Sequence, residues 1–222
     1  MNTIEKIHAR INEAIIKKRD KPRQYLGASV LGAECARQVW YYVNDPKEVE
    51  DPTVLRKFAV GKALEPTIVQ FFIDAGYKLF CTGDDQIRFE DGGIAGSGDG
   101  VIKGIEDDEN TPYLLEAKTA NSFYFKEFAK KGVAAVNEKY FGQVQVYMRY
   151  FKLKKCLFVA MNKDSQELYL EIIHYDEFEA VRLIERAKHL LTMKEEPERH
   201  FPSKSYFKCA WCSWKKTCWS DS

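Results

Sequence analysis

The chain has 222 residues, 45% of them hydrophobic, and a formal net charge of +1. This length supports one substantial core, so we expect a single domain over residues 1–222. No apolar run of about 18 residues is present, and the first residues lack the apolar stretch of a secretory signal. The sequence therefore argues against a membrane or exported protein and predicts a cytoplasmic one. A net charge this small restricts any nucleic-acid surface to a local patch.

The N-terminal segment predicts an amphipathic helix followed by a basic run. Isoleucines recur at helical intervals, at Ile4, Ile7, Ile11 and Ile15. Residues 17–23 carry five cations. This run either steers a phosphate backbone or is simply a solvated helix end. Beyond it, small residues lead to Cys35 and a short predicted helix that carries Arg37.

A longer helix is predicted from the apolar period of residues 64–75, and it ends at Gly76. Pro66 removes a helical hydrogen bond, so the regular helix is expected to begin or kink at about Glu65. Glu65 lies at the border of the apolar row. Its carboxylate either reaches the strands that follow, as a third acidic group, or is an N-terminal charge favoured by the helix dipole.

Short apolar stretches between turn residues predict four strands in an antiparallel meander, over residues 77–80, 86–90, 94–103 and 113–118. The pattern then predicts a helical region, a strand pair and a last helix, over residues 123–151, 156–161, 168–173 and 177–193. Cys81 and Cys156 lie in or next to strands and are expected to be buried thiols.

The strongest chemical signal is the glycine-bracketed Asp99 followed by Glu116 and Lys118. Residues two apart on a strand share a face, and an antiparallel neighbour would bring Asp99 beside that face. The two carboxylates suit a hard divalent ion such as Mg²⁺. Lys118 would hold or help to deprotonate the attacking water. An ordinary strand pair with a surface ion pair is the alternative.

Gln143 and Tyr147 are one helical turn apart and share a helix face. Their polar tips are suited to bind a phosphate or to order a metal site. The same spacing is also typical of ordinary packing on a half-buried helix.

The C-terminal segment carries three closely spaced cysteines, Cys209, Cys212 and Cys218. Cys35 is the candidate for a fourth ligand, since tetrahedral and cubane sites take four thiolates. A cytoplasmic setting favours metal or cluster ligation over disulfides. The four tryptophans lie near these cysteines in sequence and are expected to form an apolar shell, at Trp40, Trp211, Trp214 and Trp219. Free thiols are the alternative, and iron and zinc both suit four thiolates.

Together these features resemble the RecB-like nucleases of the PD-(D/E)XK superfamily. More narrowly, they resemble its iron-sulfur subset, which includes CRISPR adaptation exonucleases, the AddB nuclease domain and phage relatives. The resemblance covers the chain from about residue 26 onward. It follows the family's order of motifs: Cys35 with Arg37 and Trp40-Tyr41, Gly61-x-x-x-Glu65, Gly98-Asp99-Gly100, Glu116-Ala117-Lys118, Gln143-x-x-x-Tyr147 and the closing cysteine triplet.

The resemblance implies an α/β fold of the restriction-endonuclease-like type, with a central mixed sheet flanked by helices. It also implies a cysteine-ligated cluster that joins residues 26–52 to residues 197–222. In the family, the residues at Asp99 and Glu116 bind Mg²⁺ or Mn²⁺, the carbonyl at Ala117 joins them, and Lys118 acts on the water. Many members have histidine where this chain has Glu65, which leaves the preferred metal open.

By the same resemblance, Gln143 and Tyr147 serve the DNA strand and the geometry of the site. Cys35, Cys209, Cys212 and Cys218 would hold a [4Fe-4S] cluster, with Zn²⁺ as the alternative. The implied function is a metal-dependent DNA exonuclease of a prokaryotic or phage-infected cell, acting on single-stranded or frayed ends. Recombination, replication or CRISPR adaptation proteins would be its partners. A catalytically silent DNA-binding module and a zinc-stapled endonuclease are the alternatives.

Overall fold

The computed structural model describes residues 1–220 of the chain. Within them the helices are α1 (Thr3–Lys17), α2 (Ala28–Leu31), α3 (Ala36–Asn44), α4 (Pro52–Asp74), α5 (Ser122–Lys131), α6 (Val133–Val136), α7 (Glu138–Phe151), α8 (Glu177–Thr192), α9 (Phe207–Ala210) and α10 (Lys215–Cys218). The strands are β1 (Leu26–Gly27), β2 (Lys78–Phe80), β3 (Arg88–Asp91), β4 (Ile94–Ser97), β5 (Gly100–Lys103), β6 (Tyr113–Ala120), β7 (Lys155–Asn162) and β8 (Leu168–His174). No helix in this part of the chain is long and apolar enough to cross a lipid bilayer.

The main sheet has five strands in the order β2-β5-β6-β7-β8. β6 and β7 pair in parallel at its centre, whereas the outer pairs are antiparallel. Both central strands are buried along most of their length, as expected for strands that are covered on two faces. The predicted mixed sheet flanked by helices is therefore confirmed.

The two faces of this sheet pack against different helices. On one face, Leu115 and Val159 lie in a core with Ile68 and Phe72 of α4. On the other face, Leu114 and the strand residues in phase with it lie in a core with side chains of α5, α7 and α8. Because side chains alternate along β6, Glu116 and Lys118 share the phase of Leu114 and face α7.

A second, smaller sheet has the order β1-β4-β3. β4 pairs with β1 and β3, whereas β5 pairs with β2 and β6. The expectation of one strand over residues 94–103 within a simple meander is therefore wrong. The chain changes sheets at Gly98 and Asp99. A Cβ on Gly98 would lie 2.8 Å from Leu114 Cδ1 and 3.2 Å from Phe151 Cε2, so this crossing has room only for glycine.

Helix α4 runs without interruption through Pro66, so the expected start near Glu65 is wrong. It begins at Pro52, where the Asp51 side chain accepts a hydrogen bond from Thr53 N (2.7 Å). Pro66 and Lys62 are exposed, so the hydrogen bond that Pro66 removes lies on the solvent side of the helix. Burial of the apolar face of α4 compensates for that loss.

The predicted last helix is confirmed, since α8 ends one residue before the expected boundary. Cys156 is fully buried, as predicted. Cys81 is exposed, contrary to the prediction, because it lies in the turn that follows the short edge strand β2 and has a φ of 54°.

Candidate active site and cysteine cavity

Asp99, Glu116 and Lys118 come together at the point where the chain crosses between the two sheets. Asp99 Oδ2 accepts a hydrogen bond from the backbone amide of Ala117 (2.8 Å), which fixes the crossing against β6. Glu116 and Lys118 flank Ala117 in β6, and they form an ion pair through Glu116 Oε1. Lys118 Nζ also lies 5.4 Å from the ring centroid of Tyr140 on α7.

Glu116 is nearly inaccessible to solvent, with only 1% of its surface exposed. Its second oxygen, Oε2, is buried and has no hydrogen-bond partner among the described residues. Burial, and next the negative charge of Asp99, raise the pKa of Glu116 to about 8. Burial likewise raises the pKa of Asp99. For Lys118, burial disfavours the charged amine, but Glu116 and Asp99 outweigh it and raise the pKa.

Glu65 on α4 adds a third carboxylate at the edge of this group. Gln86 Nε2 donates a hydrogen bond to Glu65 Oε1 (2.7 Å), which holds the side chain in place. Burial and then the charge of Asp99 raise the pKa of Glu65, while Lys118 opposes that rise. When all three carboxyl groups are ionised, they exceed the single amine and leave an excess of negative charge in a desolvated pocket.

Within residues 1–220, no group of three or more His, Cys, Asp or Glu side chains is arranged to hold a metal ion. The donor set is nevertheless chemically suited to a hard divalent cation. A cation would neutralise the excess negative charge and would give the unpartnered Glu116 Oε2 a ligand. The residues present thus fit the metal that the sequence predicts.

Gln143 and Tyr147 are both buried on the face of α7 that points toward β6. Gln143 Nε2 donates to the Tyr147 hydroxyl oxygen (3.0 Å). Burial, followed by the charge of Glu116, raises the pKa of Tyr147. A Cβ on Gly96 would lie 2.5 Å from Tyr147 Cε1, so the close approach of β4 to this ring requires glycine.

A cavity of about 550 Å³ opens beside Gln143 and Tyr147. Further polar side chains line it, one of them acidic: Arg23, Tyr25, Ser29, Arg88, Glu90 and Ser97. Arg23 belongs to the basic run of residues 17–23, which either steers a phosphate backbone or is a solvated helix end. Ser97 directly precedes the Gly98-Asp99 crossing, so the cavity and the carboxylates are neighbours in the chain as well.

The four predicted cysteine ligands line a second cavity, of about 710 Å³. Each of them is partly buried and free of a disulfide: Cys35, Cys209, Cys212 and Cys218. Trp214 Nε1 donates to the carbonyl of Asp45 (2.7 Å), and its ring stacks on Tyr41, with centroids 5.8 Å apart. These contacts join the N-terminal and C-terminal segments without involving the cysteines. No metal group involving the cysteines is found among the described residues.

The prediction that all four tryptophans form an apolar shell around the cysteines is wrong for Trp211. Trp214 is buried beside the cysteine segment, whereas Trp211 has 90% of its surface exposed. Trp211 lies between Cys209 and Cys212 in the sequence, but its ring lies outward, at the edge of the cavity.

No protein-family model and no curated protein matches the sequence. The fold is similar to that of an alkaline exonuclease, LHK-Exo, from Laribacter hongkongensis. The TM-score is 0.56 at 17% identity, over 81% of this chain and 90% of that one. The same protein in complex with dAMP gives 0.55 at 17% identity, over 75% and 86%. The crystal structure of SSO0001 gives 0.54 at 18% identity, over 96% of each chain. The chain thus has the α/β fold of these structures.

Proposed function

We propose that this protein is a metal-dependent DNA exonuclease that hydrolyses phosphodiester bonds at single-stranded or frayed ends. One observation carries the proposal: Asp99, Glu116 and Lys118 converge where the chain crosses between sheets, and a buried oxygen of Glu116 lacks a partner there. The fold shared with an alkaline exonuclease supports the same reaction class. Hydrolysis adds water across a P–O bond, so that the water oxygen bonds to phosphorus and the sugar oxygen leaves with a proton.

Asp99, Glu116 and Glu65, together with the carbonyl of Ala117, would hold Mg²⁺ or Mn²⁺. When bound, such an ion supplies positive charge to the phosphate and acidity to water. The carboxylates themselves exclude other anions from the site until their charge is compensated. They also fix the position of Lys118, because Glu116 is its ion-pair partner.

In the protein without metal, the neighbouring carboxylates raise the pKa of Lys118 and so favour its charged form. We assign the charged amine two tasks: it orients the attacking water by hydrogen bonding, and it stabilises the negative charge that develops on the phosphate oxygens. The face of Tyr140 adds a cation–π contact that keeps the amine directed toward the site.

The polar cavity next to Gln143 supports action at DNA ends. Its two arginines outnumber its one carboxylate, that of Glu90, and together with the serines they are suited to bind a phosphate carrying an extra charge, as a terminal phosphate does. Gln143 and Tyr147 line the cavity, and Tyr147 is close enough to Glu116 to respond to its charge, so a strand anchored by its end would present its first internal bond to the carboxylates.

End-labelled single-stranded and duplex DNA digested in Mg²⁺ or Mn²⁺ tests this proposal. We expect wild-type protein to release short products from an end, and Lys118→Ala and Glu116→Gln to be inactive. Lys155→Ala is the matched control, since Lys155 is also a strand lysine in an ion pair, with Asp108. We expect it to cut normally. DNA binding without cutting by wild type would instead establish the silent DNA-binding module.

We also propose that Cys35, Cys209, Cys212 and Cys218 hold a [4Fe-4S] cluster. Four cysteines line one cavity, and four thiolates are the ligand number that a [4Fe-4S] cluster takes, with one thiolate for each iron. Protein purified anaerobically should be brown, with a broad absorption near about 400 nm and about four irons per chain. Colourless protein with stoichiometric zinc would establish the zinc alternative.

A further inference from the structure

Three aromatic side chains at the cysteine cavity are exposed to solvent. Tyr124, Phe207 and Trp211 all line this cavity, and 47%, 64% and 90% of their surfaces are accessible. They come from two separate segments, α5 and the C-terminal region, and so surround the cavity from different sides. Large aromatic rings are usually buried, so a convergent exposed group indicates a binding surface.

Unpaired cations accompany these rings. Lys139 and Lys215 line the same cavity, and neither forms an ion pair with another residue of the range 1–220. Lys208, by contrast, is neutralised by Glu34 and Glu138. A surface with exposed rings and amines that form no ion pair is complementary to an aromatic polyanion.

The positive and aromatic character continues along α5. Phe123, Lys126 and Lys130 are spaced three and four residues apart, so they share one face of this helix. All three are exposed, and the rings of Phe123 and Tyr124 contact each other with centroids 5.5 Å apart. The surface thus extends beyond the mouth of the cavity.

Helix α7 connects this surface to the carboxylates. Lys139, in its first turn, lines the cysteine cavity, and Gln143, one turn later, lines the cavity next to the Gly98-Asp99 crossing. Four residues of helix span about 6 Å. Tyr140 directly follows Lys139 in the helix, and its ring centroid is 5.4 Å from Lys118 Nζ. One extended strand of a few nucleotides can therefore contact both regions.

We propose that Tyr124, Phe207 and Trp211 form a stacking platform for single-stranded DNA that leads to the active site. Each ring stacks on a base, while Lys139 and Lys215 contact the phosphates between stacked bases. Bases in a duplex are already stacked on each other and paired, so the platform selects unpaired strands. This inference rests on the proposed nuclease function, to which it adds the strand preference and the path of the strand.

Fluorescence anisotropy with a labelled oligothymidylate of about 20 nucleotides tests the platform. The protein is anaerobically purified Glu116→Gln, which prevents cleavage during the measurement. We expect Trp211→Ala and Phe207→Ala each to raise the Kd by about 5- to 100-fold. Trp211→Phe keeps a ring and should stay close to the parent. Phe178→Ala is the matched control, because Phe178 is 78% exposed on α8, away from the cavity, and its loss should change nothing.

A second readout separates the platform from a general effect on folding or catalysis. In the cleavage-competent chain, Trp211→Ala should raise KM for a long single strand while leaving kcat and the metal content unchanged. Equal oligothymidylate affinity for the parent and both alanine variants would overturn the inference, as would an equal loss in Phe178→Ala. Because the binding assay needs no turnover, it measures the contribution of the platform to DNA affinity even if wild-type protein fails to cut DNA.

Discussion

Asp99 and Ala117 are joined by a hydrogen bond of 2.8 Å from the Ala117 amide to Asp99 Oδ2. This bond ties the crossing between the two sheets to the strand that carries Glu116 and Lys118. It engages one oxygen of Asp99, just as Lys118 engages one oxygen of Glu116. Each carboxylate is thus held in place by one oxygen and retains the other for a ligand.

Asp99→Asn should separate folding from catalysis. The amide oxygen of asparagine can still accept the hydrogen bond from Ala117, so we expect the crossing and the overall fold to be retained. A neutral amide is a much weaker ligand for a divalent cation, and we expect DNA cleavage to fall by at least about 100-fold. Initial rates on end-labelled DNA, with circular dichroism to verify folding, test this. Near-normal cleavage by a folded variant would exclude Asp99 as a ligand.

A divalent cation should stabilise the wild-type protein because it compensates the crowded carboxylates. At a concentration of about 100 times Kd, binding contributes about 2.7 kcal/mol, which for a chain of this size raises Tm by roughly 5–10 °C. Glu116→Gln should lose most of this rise. Without metal, we expect this variant to be less stable than wild type, because the amine of Lys118 loses its ion-pair partner. Calorimetric scans with EDTA, Mg²⁺ and Mn²⁺ measure both effects, and a metal-independent Tm in wild type would contradict the assignment.

Local sequence patterns predict the position of the Glu116–Lys118 pair, because strand alternation depends only on neighbours along the chain. The change of sheets at Gly98 does not follow from local patterns, since it depends on the pairing of β4 with β1, which is distant in sequence. An apolar run interrupted by a glycine-bracketed aspartate looks the same whether it continues in one sheet or crosses to another.

Local patterns also cannot decide between the two interpretations of the basic run that contains Arg23. The run predicts positive charge but not its location, and only the folded chain places Arg23 in the same cavity as Gln143. The expected start of α4 failed for a different reason. A proline penalty is a local cost, and the burial of Ile68 and Phe72 against the sheet outweighs it.

Gly142→Ala should destabilise the protein by displacing α7. A Cβ at Gly142 would lie 2.7 Å from the Cα of Gly32, and a backbone atom cannot move aside as a side-chain tip can. We expect a loss of about 1–3 kcal/mol and weaker cleavage, since Gln143 moves with the helix. Gly61→Ala in α4 is the matched control: its Cβ meets nothing closer than 3.9 Å, and higher helix propensity should stabilise it slightly. Urea unfolding compares the two, and equal stabilities would contradict the packing argument.

Replacement of single cysteines should distinguish those that bind the proposed cluster from those that do not. We expect Cys35→Ser to lose most of its iron and to show a lower Tm, because the link between the N-terminal and C-terminal segments depends on four thiolates. Cys81→Ser is the control, since Cys81 is exposed in a turn far along the chain from the other cysteines. It should retain iron, colour and Tm. Metal analysis and absorbance spectra measure this, and unchanged iron in Cys35→Ser would remove Cys35 from the ligand set.

The ion pair between Asp108 and Lys155 should make the free energy of unfolding decrease at acidic pH. Hydrogen bonds from Lys155, and then from Thr111 and Tyr113, lower the pKa of Asp108 from 3.8 to about 2. A carboxylate with a depressed pKa in the folded state contributes stability above its unfolded pKa. That contribution is lost as the pH falls through the folded value.

Asp108→Asn should therefore be less stable than wild type at pH 6, and the two should converge as the pH falls from about 4 to about 2. Urea unfolding at a series of pH values measures the difference. Glu109→Gln, an exposed carboxylate of the same turn, is the control and should follow wild type throughout. A constant difference between Asp108→Asn and wild type at every pH would mean that the ion pair contributes nothing and that the substitution acts through packing alone.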